Sequence, residues 1–250
     1  MSGVDLSRRG KASCGVPLTT ERTLPWEGSV NTRWVLPGLI RSANLAFLTP
    51  PGRAQLLSTG PGRIIDLRNR EERRLHPAPF VGAPSYLNLP LLPYRNRTLN
   101  TAIQAANTNG EHYRAILDHS ANQIVTIFGA IHDAPPGPIL LHCHLGKDRT
   151  GLVVALALEL AGTARAEIAA DYAQTDQQVG DLYAALLARQ ADPQKRARLE
   201  TFLVSREQDI LSALEHLDTT WGGTAAYLEA FGLSRADQQH LTTRLMAPPT

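Results

Sequence analysis

Two kinds of apolar run occur along the chain, and they are segregated. The short ones come first. "RWVLPGLIRS" (33–42), "GRIIDLRN" (62–69), "SYLNLPLLP" (85–93) and "GPILLHC" (137–143) each hold a few apolar residues bounded by Gly, Pro or polar positions, which predicts short extended segments, the last a buried strand. Between the first two, "LTPPGRAQLLSTG" has room for a short helix opened near its paired prolines. Across 109–133, Tyr113, Ile116, Leu117, Ile124, Ile127, Phe128 and Ile131 recur at helical spacing. "TGLVVALALEL" (150–160), closed by Ala161-Gly162, predicts a buried helix. From 163 onward the pattern is helical throughout: "TARAEIAADYAQ", one long charged helix around 194–217, "GTAAYLEAFG" and "SRADQQHLTTRLM". The last opens with Ser234 and Asp237 three apart, a capping-box pattern. Strands mixed with helices, followed by helices alone, predict an α/β core whose sheet is complete before residue 145.

Residues 1–22 are polar and predict a flexible tail, leaving 23–247 as a single domain; "APPT" closes the chain in the same way. A net charge of +2 gives no ground for nucleic acid or a membrane surface as partner, and the N-terminus lacks the apolar stretch of a signal peptide. Two cysteines, Cys14 and Cys143, make no disulfide framework, so both are expected as reduced thiols in a cytoplasmic protein. Only three of the 25 basic residues are lysines, and one of them, Lys147, falls in the segment of greatest chemical interest.

That segment is "HCHLGKDRTG" (142–151), between the last predicted strand and the buried helix. A tight turn there can aim its backbone N–H groups inward as an anion nest, and the helix dipole adds positive potential. Gly146 supplies the conformational freedom. Arg149 can place two parallel hydrogen bonds on one tetrahedral anion. Cys143, His144, Leu145, Gly146, Lys147, Asp148 and Arg149 would then form a bowl for a phosphoryl group, with Cys143 at its floor, where the field favours thiolate over thiol. Other readings fare worse. Consecutive side chains at a strand end diverge, so His142, Cys143 and His144 make a poor metal site, and no matching Cys/His cluster occurs elsewhere. A nucleotide-binding P-loop needs Ser or Thr after the lysine, where Asp148 stands. A buried structural cysteine near a chance arginine leaves Gly146, Thr150 and Gly151 unexplained. A sulfur-transfer enzyme does not account for the arginine.

H-C-x-x-G-K-D-R-T-G resembles the signature loop of cysteine-based phosphatases, in the form found in the bacterial tyrosine phosphatase family. "GLIRSANLAFLT", "IIDLRNREE", "AEIAADYAQTD" and "AAYLEAFGLSRADQQHLTTRL" resemble further segments of that family, in the right order, over roughly 33–246. The resemblance implies a cysteine-phosphatase-like α/β fold: a central, mostly parallel sheet flanked by helices, with an all-helical C-terminal half. It also implies an enzyme without a cofactor or metal that hydrolyses phosphate monoesters through a phosphocysteine intermediate. Where the family has N-x-R-D-x-G-G, this chain has "NTRWVLPG", so the rim of the site is expected to differ.

Carried over residue by residue, Cys143 is the nucleophile and Arg149 binds phosphate and stabilises the transition state. Thr150 is expected to donate its hydroxyl to Cys143. His142 is expected to serve mainly as a hydrogen-bonding residue at the strand end, with tuning of the thiolate as the alternative. Asp148 matches the family's in-loop general acid; Asp66, at the end of "RIIDL", is the alternative acid, or else an ion-pair partner of Arg68. Glu111 and Asp118 are remote candidates. Arg41 and Arg68 are expected to tie core segments together. Lys147 and His144 are expected at the mouth, where a lysine would favour substrates with several phosphates. The expected partner is a phosphorylated substrate: a phosphoprotein, a phosphoinositide or a small metabolite. The arginine-rich, lysine-poor composition suggests a bacterial genome and favours the first and third. A phosphate-binding module without turnover is the non-enzymatic alternative.

Overall fold

The computed structural model describes residues 22–93 and 95–248. The predicted tail at 1–22, including Cys14, therefore lies almost wholly outside the described residues. In chain order the elements are β1 (Arg33–Leu36), β2 (Leu39–Ser42), α1 (Pro50–Ser58), β3 (Arg63–Asp66), α2 (Arg70–Leu75), β4 (Tyr86–Asn88), α3 (Arg97–Ala105), α4 (Asn109–His119), α5 (Ala121–His132), β5 (Ile139–His142), α6 (Asp148–Leu160), α7 (Arg165–Ala173), α8 (Thr175–Arg189), α9 (Pro193–Leu203), α10 (Glu207–Trp221), α11 (Thr224–Ala230) and α12 (Arg235–Met246).

The strands form one sheet in the order β1-β2-β5-β3-β4. β1 and β2 are an antiparallel hairpin; every other pairing is parallel. β5 is central, and β2, β5 and β3 are buried almost throughout, as expected where helices cover both faces. Successive side chains of a strand point to opposite faces. Leu39, Ile65, Ile139 and Leu141 accordingly join the large core, against α4, α5, α6, α10 and α12. Ile40, Ile64 and Leu140 join a smaller one with Trp26, Leu45, Leu48 and Leu56. Continuing the alternation, Cys143 falls on the large-core face, while His142 and its register partner Asp66 fall on the other.

Two predicted continuous helices are broken. The helical pattern over 109–133 divides at Ser120, where Asn96 Nδ2 donates to the His119 carbonyl. The charged helix expected around 194–217 divides between α9 and α10. There Ser205 N donates to both carboxylate oxygens of Asp176, and Asn109 Nδ2 donates to Val204 O. In both places a side chain from a distant segment takes over a backbone group that a continuing helix would have used. The short helix α2 is held by a full capping box between Asn69 and Glu72.

No helix among the described residues is long and apolar enough to cross a membrane.

Candidate active site

The loop between β5 and α6 is built from its outer side inward. Asn44 N donates to His144 O (3.0 Å), Asn31 Nδ2 to Leu145 O (3.0 Å) and Arg41 Nη2 to Gly146 O (2.6 Å). Three successive carbonyls are thus tied down outside the turn. No backbone N–H from His144 to Arg149 has a protein acceptor among the described residues. Gly146 has φ +68°, and a Cβ there would stand 2.6 Å from the Ser42 carbonyl, so only glycine fits. The N–H groups of the turn are thus left without a protein acceptor among the described residues.

Arg41 is itself held by a buried network. Arg41 Nη1 and Arg33 Nε (2.9 Å) both bond the Asp171 carboxylate, and Arg33 Nη2 donates to the Asp171 carbonyl (2.6 Å). Burial would raise the Asp171 pKa, but the two guanidinium groups outweigh it and hold the carboxyl below its ordinary range. Burial, with Arg41 beside it, pushes Arg33 down to about 10, still charged at neutral pH. Removing one member of such a set leaves uncompensated charge in the interior. Asp171→Asn is expected to cost about 3–5 kcal/mol of stability, measured by urea unfolding at pH 7. Because the folded-state pKa is depressed, this contribution is complete above the unfolded value of about 4 and is lost as pH falls through the depressed value. The difference between variant and parent should therefore shrink in acid.

Cys143 is buried in the loop floor, 2% exposed, and is a free thiol. Arg149 lies beside it, but its fork is engaged: Nη1 and Nη2 donate to the two carboxylate oxygens of Glu72 at 2.6 and 2.7 Å. Burial would lower the Arg149 pKa, but the negative charges of a Cys143 thiolate and of Glu72 raise it instead. Glu72 is held below its ordinary value because the Arg149 pair outweighs burial. No role was evident for Glu72 in the sequence, although it closes the "IIDLRNREE" segment; the signal was Asn69 with Glu72 three residues on, the capping box that also orients this carboxylate.

Asp148, the first residue of α6, accepts from Tyr113 OH at Oδ1 (2.7 Å) and lies 3.3 Å from Lys147 Nζ. Its side chain is 37% exposed. Burial acts to raise its pKa, but Lys147, Tyr113 and His112 together lower it. Tyr113 is locked in turn by a hydroxyl–hydroxyl bond to Tyr172.

The alternative acid is placed differently. Asp66 is 0% exposed and lies across the sheet from the Cys143 face. It accepts from Arg68 N (3.0 Å), Nε (2.9 Å) and Nη2 (2.7 Å) and from Tyr86 OH (2.8 Å). That matches its ion-pair reading rather than an acid that reaches substrate. His142 is wholly buried; its Nδ1 donates to the Cys143 carbonyl at 3.4 Å, and burial pushes it down to about 4. It is uncharged at neutral pH and holds the strand end, not the thiolate.

Two expectations require correction. Lys147 does not project at the mouth. It is 1% exposed, and Nζ folds back to donate to the Phe202 carbonyl at the end of α9, one of the last-turn carbonyls left without an intrahelical partner. Thr150 Oγ1 is buried but has no hydrogen-bond partner among the described residues, so the expected donation to Cys143 is not formed. His144 is half-buried against His76 and Phe47, and burial, with Arg149 and His76 nearby, lowers its pKa. Glu111 and Asp118 are engaged elsewhere, with Asn107 and His216.

A model of the tyrosine phosphatase family matches residues 27–247. The chain belongs to that family. It is thus a phosphoric monoester hydrolase by class. This tyrosine phosphatase family member is 31% identical over 215 residues to a tyrosine-protein phosphatase of Nostoc commune, covering 82% of this chain and 73% of the relative. It is also 31% identical over 245 residues to the triple specificity protein phosphatase PtpB of Mycobacterium tuberculosis, covering 80% of this chain and 88% of that one.

Proposed function

We propose that this tyrosine phosphatase family member cleaves phosphotyrosine, or a related phosphate monoester, through a phosphocysteine intermediate. The observation that carries the reading is the run of unpartnered N–H groups from His144 to Arg149 around the buried Cys143. Those donors and the Arg149 fork match the three non-bridging oxygens of a phosphoryl group. A dianion there displaces Glu72 from Arg149, exchanging one bidentate partner for another.

In the first step the Cys143 thiolate attacks phosphorus in line, the S–P bond forms and the P–O ester bond breaks. Asp148 gives its proton to the departing oxygen. Lys147, Tyr113 and His112 favour the ionised form of this carboxyl; a bound dianion acts in the opposite direction and favours its protonation. In the second step water attacks phosphorus, Asp148 takes its proton, the S–P bond breaks and inorganic phosphate leaves. With Lys147 enclosed, that side chain no longer argues for phosphoinositides.

Hydrolysis of an activated aryl phosphate by the purified protein should persist in excess chelator and be blocked by vanadate, which adopts the pentacoordinate geometry of the transition state. Activity that disappears with chelator and returns with added metal would overturn the mechanism.

A further inference from the structure

Two adjoining hollows open beside the loop at the carboxyl end of the sheet and share Asn69 and Arg70. The first, about 460 Å³, is lined by Asn69, Arg70, Glu71, Arg74 and Arg95. The second, about 430 Å³, continues over Leu89, Pro90, Leu92 and Pro93. Arg70, Arg74 and Arg95 are exposed. None of their guanidinium groups has an ion-pair or hydrogen-bond partner among the described residues, whereas those of Arg33, Arg41, Arg68 and Arg149 are all paired. Three guanidinium groups thus converge on one cleft against a single carboxylate, Glu71.

The place of the cleft relative to the loop follows from α2. Arg70 and Arg74, four residues apart, share one side of this helix, and Glu72, which reaches Arg149, leaves from the other. The arginines therefore leave α2 on the side away from Glu72, an offset of one helix width, about 10 Å. An extended peptide advances about 3.3–3.6 Å per residue, so that distance corresponds to about three residues.

We propose that this cleft binds acidic side chains about three residues from the phosphorylated residue of a peptide substrate, and so selects acidic phosphopeptides. The inference rests on the phosphatase reading above. Charge complementarity argues for an anionic occupant, and the adjoining Leu89–Pro93 wall offers apolar contact to the intervening peptide. A concave hollow is a poor match for a flat membrane surface.

Exposed arginine–carboxylate pairs are individually weak, so two or three together should give a preference of about tenfold. The test compares kcat/KM for phosphotyrosyl peptides carrying Asp or Glu two to four residues to either side with that for the same peptides carrying Asn or Gln. Both sets are run on the parent protein and on the Arg70→Ala/Arg74→Ala/Arg95→Ala variant, at low and high salt, with a small aryl phosphate as control. The expected result is an approximately tenfold preference, expressed in KM, weakened by salt and lost in the variant, while aryl phosphate hydrolysis is unchanged. Equal rates on the two peptide sets, or a preference that survives in the variant, would overturn the proposal. So would faster turnover of phosphoinositide vesicles that depends on the same arginines, since that would assign them to a membrane. Failure of the parent protein to hydrolyse the aryl phosphate would sink the phosphatase reading instead.

Discussion

Cys143→Ser is expected to lower turnover by at least about 10⁴-fold while leaving phosphate affinity at or above that of the parent protein. Serine nearly matches cysteine in size, so the loop keeps its shape. The carbonyl ties from Asn31, Arg41 and Asn44 do not involve the side chain at 143. The N–H donors and the Arg149 fork therefore remain in place. What is lost is the nucleophile, because a serine hydroxyl at this position has no adjacent base: His142 is engaged with the Cys143 carbonyl and lies on the other face of β5. Removing a thiolate also removes its repulsion of a dianion, hence the expectation of equal or tighter binding. Single-turnover hydrolysis and calorimetric titration with phosphate separate the two effects. Turnover within tenfold of the parent protein would place the nucleophile elsewhere.

The second large effect belongs to Asp148→Asn. A general acid matters most when the leaving oxygen is poor, so this substitution should cost about 10²–10⁴-fold on phosphotyrosine or an alkyl phosphate and much less on an activated aryl phosphate. The amide oxygen of asparagine can still accept from Tyr113, which keeps the side chain in place and isolates loss of the proton as the cause. Asp66→Asn is the control. It disrupts a buried set of four hydrogen bonds with Arg68 and Tyr86, so stability should fall and both substrate types should suffer alike. Leaving-group dependence in the Asp66 variant and not in the Asp148 variant would reverse the assignment.

What the sequence made legible was what is local. Cys143 through Arg149 lie on one turn, and the requirements of that turn, a glycine and a helix start, are written in adjacent positions. The apolar cores of β2 (Leu39-Ile40), β3 (Ile64-Ile65) and β5 (Ile139–Leu141) were equally direct, since adjacent apolar residues bounded by turn signals mark strands buried on both faces. The partners that complete the site were not legible, because each arrives from far along the chain. Glu72 reaches Arg149 across 77 residues, Tyr113 reaches Asp148 across 35, and Arg41 reaches Gly146 across 105. Lys147 was misplaced for the same reason: the carbonyl that captures it belongs to Phe202, 55 residues on. Helix α3 was missed because its start signal is a single Asn96 cap in a polar segment.

The free N–H groups of the loop have a consequence for the protein when it is not turning over. Donors held away from any acceptor favour whatever state supplies one, and each such group, when shielded from water, costs about 1–3 kcal/mol. Occupancy of the cradle is therefore linked to the folding equilibrium. An anion present at a hundred times its dissociation constant would add about 2.7 kcal/mol to the folded state. Ambient inorganic phosphate, the product of the proposed reaction, would then act as a folding ligand. The resilience of this chain to heat or proteolysis would follow the phosphate concentration around it.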